Sequence, residues 1–211
     1  GAYEPQAVSP WLIEPFVRRR QPSILYGDGG EGKSTLAIAL GLSLASGISI
    51  IPGVTVLGSG NVYMLDFESD VDDSVGVAHD LAKGAGITFP RQRMFYRRLS
   101  GSLADHIDNI AADFAVHDIS LVIVDSLVAA GGVDANESEA ARMYFNSVRT
   151  FGCASIGVTH VTKAQSNGTE HAKPFGSAFW WNLARIAWQV KRTQEEGQPA
   201  ATLGLYHRKG N

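Results

Sequence analysis

The chain has 211 residues, 45% of them apolar and 18% charged: a length suited to one folded core and a composition that excludes a disordered chain. Lys and Arg number 18 against 21 Asp and Glu, giving a net charge of -3, so any nucleic-acid contact must be local, through a loop or channel, rather than a coating of the whole surface. The one cysteine, Cys153, excludes an internal disulfide framework and a multi-cysteine metal site and favours a cytoplasmic setting.

No apolar run reaches the roughly 18 residues of a membrane-spanning helix, so no membrane contact is expected. The start, Gly1-Ala2, lacks the charged and apolar regions of a signal peptide. From Ser23 to Tyr26 the pattern is a brief strand running into glycines, and Ser34 to Ala45 reads as a helix packed between layers. Asn61 to Phe67 is a second strand, and Val71 to Ala85 a helix with Gly84 and Gly86 at its stop. Met94 to Leu99 is a further strand, and Leu103 to Val116 an amphipathic helix. Leu121 to Val124 is a continuous aliphatic run, the mark of a buried parallel strand. Asn136 to Phe151 follows as a helix and Ala154 to Thr159 as a strand. Strands Ile186 to Val190 and Thr202 to Tyr206 flank a turn over Glu195 to Pro199 and are expected to form a hairpin. Alternating strand and helix predicts an α/β fold: a mostly parallel central sheet, helices on both faces and a C-terminal β-hairpin, in a single domain over 1–211. Two stretches, 130–135 and 163–173, carry no periodicity, and loops of this length inside a compact domain are usually functional.

The chemistry is concentrated at strand ends. Gly27-Asp28-Gly29-Gly30-Glu31-Gly32-Lys33-Ser34, with Thr35 after it, matches GxxxxGK[ST] between a strand and a helix. Glycines let backbone N–H groups curl around phosphate oxygens, and the helix N-terminus adds its dipole. Lys33 is placed to reach the β- and γ-phosphates, and the Ser34 hydroxyl to ligate Mg²⁺; ATP and Mg²⁺ are the expected ligands. Asp125 closes the aliphatic strand as a Walker B carboxylate, holding the Mg²⁺ shell with Ser34. The strand at 61–67 ends in Asp66-Phe67-Glu68, and alternation puts both carboxylates on one side. Glu68 is the expected base for the attacking water, with Asp66 its competitor. His160, at the end of the next strand, is placed to hydrogen-bond the γ-phosphate region.

Together these residues resemble a RecA-type ATPase, and within it the RepA-like branch of phage and plasmid replication helicases. The matching stretches are YGDGGEGKST (26–35), VYMLDFES (62–69), LVIVDS (121–126), GVTHVTK (157–163), FGSAFWWNLAR (175–185) and LYHRKGN (205–211). The resemblance implies that Glu68 activates water, that His160 senses the γ-phosphate, and that Gly176 and Ser177 border a mobile DNA-facing loop. It also implies a homo-oligomeric, hexameric ring acting on single-stranded nucleic acid, with loops 130–135 and 163–173 facing the channel. Arg185, Arg208 and Lys209 resemble positions from which such ATPases supply a cation to the neighbour's site. Two other classes stand beside this one: a RecA-fold recombinase or filament protein, and a regulatory NTPase without nucleic acid. No primase or loader-binding segment is recognisable, so the chain is expected to be an ATPase domain of a longer protein.

Overall fold

A computed structural model describes residues 9–69, 71–132, 138–161, 174, 176 and 178–210. Its centre is a seven-stranded sheet in the order β10-β9-β3-β8-β7-β5-β6. The strands are β3 (Pro22–Gly27), β5 (Asn61–Asp66), β6 (Met94–Arg98), β7 (Ile119–Asp125), β8 (Ala154–His160), β9 (Ile186–Thr193) and β10 (Thr202–Gly210). All neighbours pair in parallel except β9 and β10, which form the antiparallel hairpin.

Strand alternation divides the core into two layers. Leu25, Leu121, Ile123, Ile156 and Val158 face α1 (Lys33–Ser46) and α2 (Val71–Gly84). Ile24, Tyr26, Val122 and Val124 face the other way, onto α3 (Ile107–His117), α5 (Ser138–Thr150) and α6 (Ala178–Leu183). Because β3 and β7 are covered on both faces, every second residue is apolar on each side, which is why they read as continuous runs. Helix α1 is buried along almost its whole length, which explains its weak amphipathic pattern.

Three details depart from the sequence reading. The helix expected over 103–116 begins as a 3₁₀ turn, Leu103–His106, capped by Ser102 and Asp105, before α3 starts at Ile107. The stretch 130–135 does not begin as a loop, because Ser126 caps a short helix, α4 (Leu127–Ala130), and residues 133–135 lie outside the described ones. A small sheet of β1 (Trp11–Glu14), β2 (Val17–Arg18) and β4 (Thr55–Val56) stands apart from the main one. Its strands are too short to carry a period-2 pattern. The start of the α5 region, 136–137, also lies outside the described residues.

Register sets the site. Gly27 pairs with His160, and Asp66 with Asp125, so four sequence-distant positions share one edge of the parallel sheet, at the C-terminal strand tips. Ligands of open α/β sheets bind at this edge.

Candidate nucleotide site

The turn after β3 is shaped by two glycines. A Cβ on Gly27 would lie 2.3 Å from the Val190 carbonyl oxygen on β9, so only glycine lets the two strands approach. Gly32 caps α1 at φ 79°, a left-handed conformation that other residues adopt at a cost. The turn leaves the N-terminal N–H groups of α1 without helical partners, the usual cradle for a phosphate. Asp28 Oδ1 accepts from the Gly29 N–H at 2.8 Å. The Glu31 carboxylate accepts from the Arg192 backbone N–H, tying the P-loop to β9. Burial and the nearby Asp28 raise the Glu31 pKa.

Lys33 is 4% exposed, and its Nζ donates to the Asp28 carbonyl at 2.6 Å. Burial lowers its pKa, while the fields of Asp125, Glu31, Asp28 and Glu68 hold it up. A buried ammonium among four carboxylates, bonded to a turn carbonyl, is stabilised by a polyanion beside it. Asp125 is buried too, accepts a hydrogen bond from Ser34, and is pushed up to about 6 by its burial. A cavity of about 520 Å³ opens over these groups, lined by Gly30, Gly32, Lys33, Ser34, Thr35, Glu68, Asp125 and His160, with Arg192 and Leu203 from the hairpin. That size suits a small ligand. Gly27, Asp28, Gly29 and Glu31 shape the loop without lining the cavity.

The two carboxylates after β5 part company. The strand ends at Asp66, so alternation does not extend to Glu68, and the expectation that both share a side fails. Asp66 is fully buried and accepts from the Glu68 and Ser69 N–H groups at 3.0 and 2.8 Å, Ser74 Oγ at 2.9 Å and Tyr96 OH at 3.1 Å. Glu68 instead lines the cavity: its Oε1 accepts from Ser126 Oγ, and its Oε2 lies 3.9 Å from His160 Nε2. His160 Nδ1 is 3.5 Å from Lys33 Nζ. Lys33, His160, Glu68 and Ser126 thus form one connected chain of side chains around the cavity.

Ser126 was missed by the motif reading, although its position directly after Asp125 was a signal. Its hydroxyl donates to Glu68 and accepts from the Ala129 N–H, so it is fixed from both sides. It is a positioning residue. Ser126→Ala is expected to lower the kcat for ATP about tenfold with KM unchanged, as losing one charge-assisted hydrogen bond would. Ser126→Thr should restore most of it in steady-state assays.

Arg185, Arg208 and Lys209 are not brought to this site. The Arg185 N–H donates to the Pro22 carbonyl, at the opposite edge of the sheet. Five strand steps separate Pro22 from Gly27, about 17 Å at the usual rise. Arg208 Nε donates to Gln189 Oε1 at 3.0 Å, and Lys209 Nζ donates to the carbonyls of Trp181 and Asn182 at the end of α6. Burial and the neighbouring Arg185 lower the Lys209 pKa. Gly176 is described at φ 95°, while Ser177, Lys163 and Lys173 lie outside the described residues.

The donor set fits a phosphate-borne Mg²⁺. Among the described residues no group of three or more His, Cys, Asp or Glu stands ready to hold a metal alone. Ser34 and Asp125 supply the one hydroxyl and one carboxylate that Mg²⁺ takes when phosphates and waters complete its shell.

The family described as the AAA domain matches residues 2–166, a span that includes the P-loop, Glu68, Asp125 and His160. The chain belongs to this AAA domain family. Among solved structures, this AAA-family chain is similar to a KaiC-like protein from the hyperthermophilic archaeon Pyrococcus horikoshii OT3, at a TM-score of 0.64 and 13% identity. The match covers 94% of this chain and 83% of that one, and shows a shared RecA-like fold. No curated protein matches the chain in sequence. Fold and family make it a RecA-like P-loop ATPase domain. Among its described residues no helix is long and apolar enough to cross a membrane.

Proposed function

We propose that the chain is the motor domain of a replicative helicase of the phage and plasmid type, cytoplasmic, working as a homo-oligomeric ring on single-stranded nucleic acid. The observation that carries this reading is the junction of Glu68 and His160 in one cavity, with His160 closing β8 three residues before Lys163 in sequence. A side chain that lines the cavity and stands so close to 163–173 in sequence is placed to couple occupancy to that segment. Mg²⁺ supplies charge neutralisation at the phosphates when bound. The chain's own groups do the rest. Lys33 and the α1 N-terminus bind the phosphates, Ser34 and Asp125 hold the cation, and Glu68 takes the proton from a water at Oε2. Ser126 holds the other carboxylate oxygen.

The placement of Arg185, Arg208 and Lys209 supports completion in trans. No cation other than Lys33 and Arg192 lines the cavity among the described residues; Arg185 lies at the far edge and Arg208 and Lys209 on β10, the outermost strand of the sheet, where a ring would present them to the next protomer.

ATP turnover measured with and without oligothymidylate, over a range of protein concentration, tests the reading. Expected are a rise in specific activity with concentration and stimulation by the oligonucleotide that falls steeply with salt. Lys163→Ala/Lys173→Ala should remove the stimulation and leave basal turnover. Turnover that rises with concentration and ignores DNA would favour the regulatory NTPase. Concentration-independent turnover would reject the ring.

A further inference from the structure

At the opposite edge of the sheet, the end of β2 and the turn to β3 carry Arg18-Arg19-Arg20, the only run of three consecutive Lys or Arg in the sequence. The three arginines and Gln21 line a cleft of about 620 Å³, closed on its other side by the starts of β7 and β8, including Ser120 and Cys153. In a chain of net charge -3, this is a concentration of positive charge against the average. Among the described residues Asp118 is the one carboxylate lining the cleft, and no ion pair joins it to any of the three.

Each arginine is held in a way that leaves binding capacity unused. The Arg18 guanidinium lies over the Trp11 ring at 4.9 Å, which fixes its plane, yet its Nε is buried without a hydrogen-bond partner. A buried donor on a cation without an acceptor is unfavourable, so Arg18 is kept there at a cost, and the rest of its half-buried side chain, which lines the cleft, is what can meet an oxyanion. Arg19 spends one Nη2 bond on the Leu57 carbonyl, at 3.0 Å, and is otherwise exposed. Arg20 sits at φ 58°, a left-handed turn position where glycine would be unstrained. A side chain held there at a conformational cost points to a use for its charge.

We propose that Arg18, Arg19 and Arg20 form a second oxyanion site, for a phosphate-bearing ligand. Three guanidinium groups exceed what one carboxylate can neutralise, and their planar forks match phosphate oxygens. The site is separate from the hydrolysed nucleotide, because β3 spans the sheet between them. It does not depend on the helicase reading. The phosphate is that of a free phosphorylated molecule or of a nucleic-acid strand passing this edge.

The test uses the full chain with its P-loop filled by Mg²⁺ and a non-hydrolysable ATP analogue. Inorganic pyrophosphate is then titrated at low salt by calorimetry. One further equivalent is expected to bind, at least tenfold more weakly in Arg18→Gln/Arg20→Gly. Arg20→Gly alone keeps the turn and should melt no lower than wild type, so it reports the lost charge if the double variant folds poorly. Displacement of pyrophosphate by oligothymidylate would assign the site to a strand, and absence of displacement to a small phosphate ligand. No second equivalent, or binding equal in wild type and both variants, would overturn the site.

Discussion

Glu68→Gln is expected to lower the kcat for ATP about 10³-fold, the middle of the range for loss of a general base. Binding of ATP should be nearly unchanged, because the amide keeps the size of the side chain and an acceptor for the Ser126 hydroxyl. What it loses is the capacity of Oε2 to take a proton. Asp66 provides the contrast. Its two oxygens accept from four donors, so it organises the turn that presents Glu68 and has no face on the cavity. Asp66→Ala leaves those donors unpaired in the core, at a cost of about 3 kcal/mol or roughly 10 °C in melting temperature for a chain of this length. Single-turnover hydrolysis and melting curves on both variants separate the roles. A silent Glu68→Gln beside a catalytically dead but stable Asp66→Asn would reverse the assignment.

The same pair shows what the sequence could and could not disclose. The P-loop, Asp125 and the mostly parallel α/β class were legible because each rests on local pattern: a glycine turn, an aliphatic run, a repeat of strand and helix, whereas the order of the strands in the sheet was not. The division between Asp66 and Glu68 was not, since it turns on where β5 ends, two residues short of the Glu68 that the spacing rule needs it to reach. Ser126 was adjacent to a motif and still overlooked, because its partner lies 58 residues away. Arg192 and Leu203 reach the cavity only through the β9–β10 hairpin folding beside the P-loop, and the Arg18–Arg20 cleft exists only once β2, β7 and β8 converge. Such sites are products of topology, and a linear reading has no spacing with which to find them.

Asp125 sets function against stability in one side chain. Burial raises its carboxyl from 3.8 to about 6, against the hydrogen bond from Ser34 and the field of Lys33, which pull it down. With the folded value above the unfolded one, the ionised fold is the less stable form. The penalty is absent below about pH 4, grows as pH rises, and is complete above about pH 6, reaching about 3 kcal/mol. Asp125→Asn removes it. Part of the gain is offset, because the charge of Asp125 is the largest influence supporting the buried Lys33 ammonium. A net gain of about 1–2 kcal/mol, or roughly 4 °C, is therefore expected without Mg²⁺ at pH 8, shrinking to nothing at pH 4. Mg²⁺ with nucleotide should invert the order, since ligand binding stabilises only a protein that can hold it, by RT ln(1 + [L]/Kd). Hydrolysis by the Asn variant should be lost. Paired melting curves at the two pH values, with and without Mg²⁺-nucleotide, check all three signs at once. An Asn variant less stable at pH 8 without Mg²⁺ would mean that the carboxylate is held for the fold itself, by Ser34 and Lys33, rather than kept at a cost for the cation.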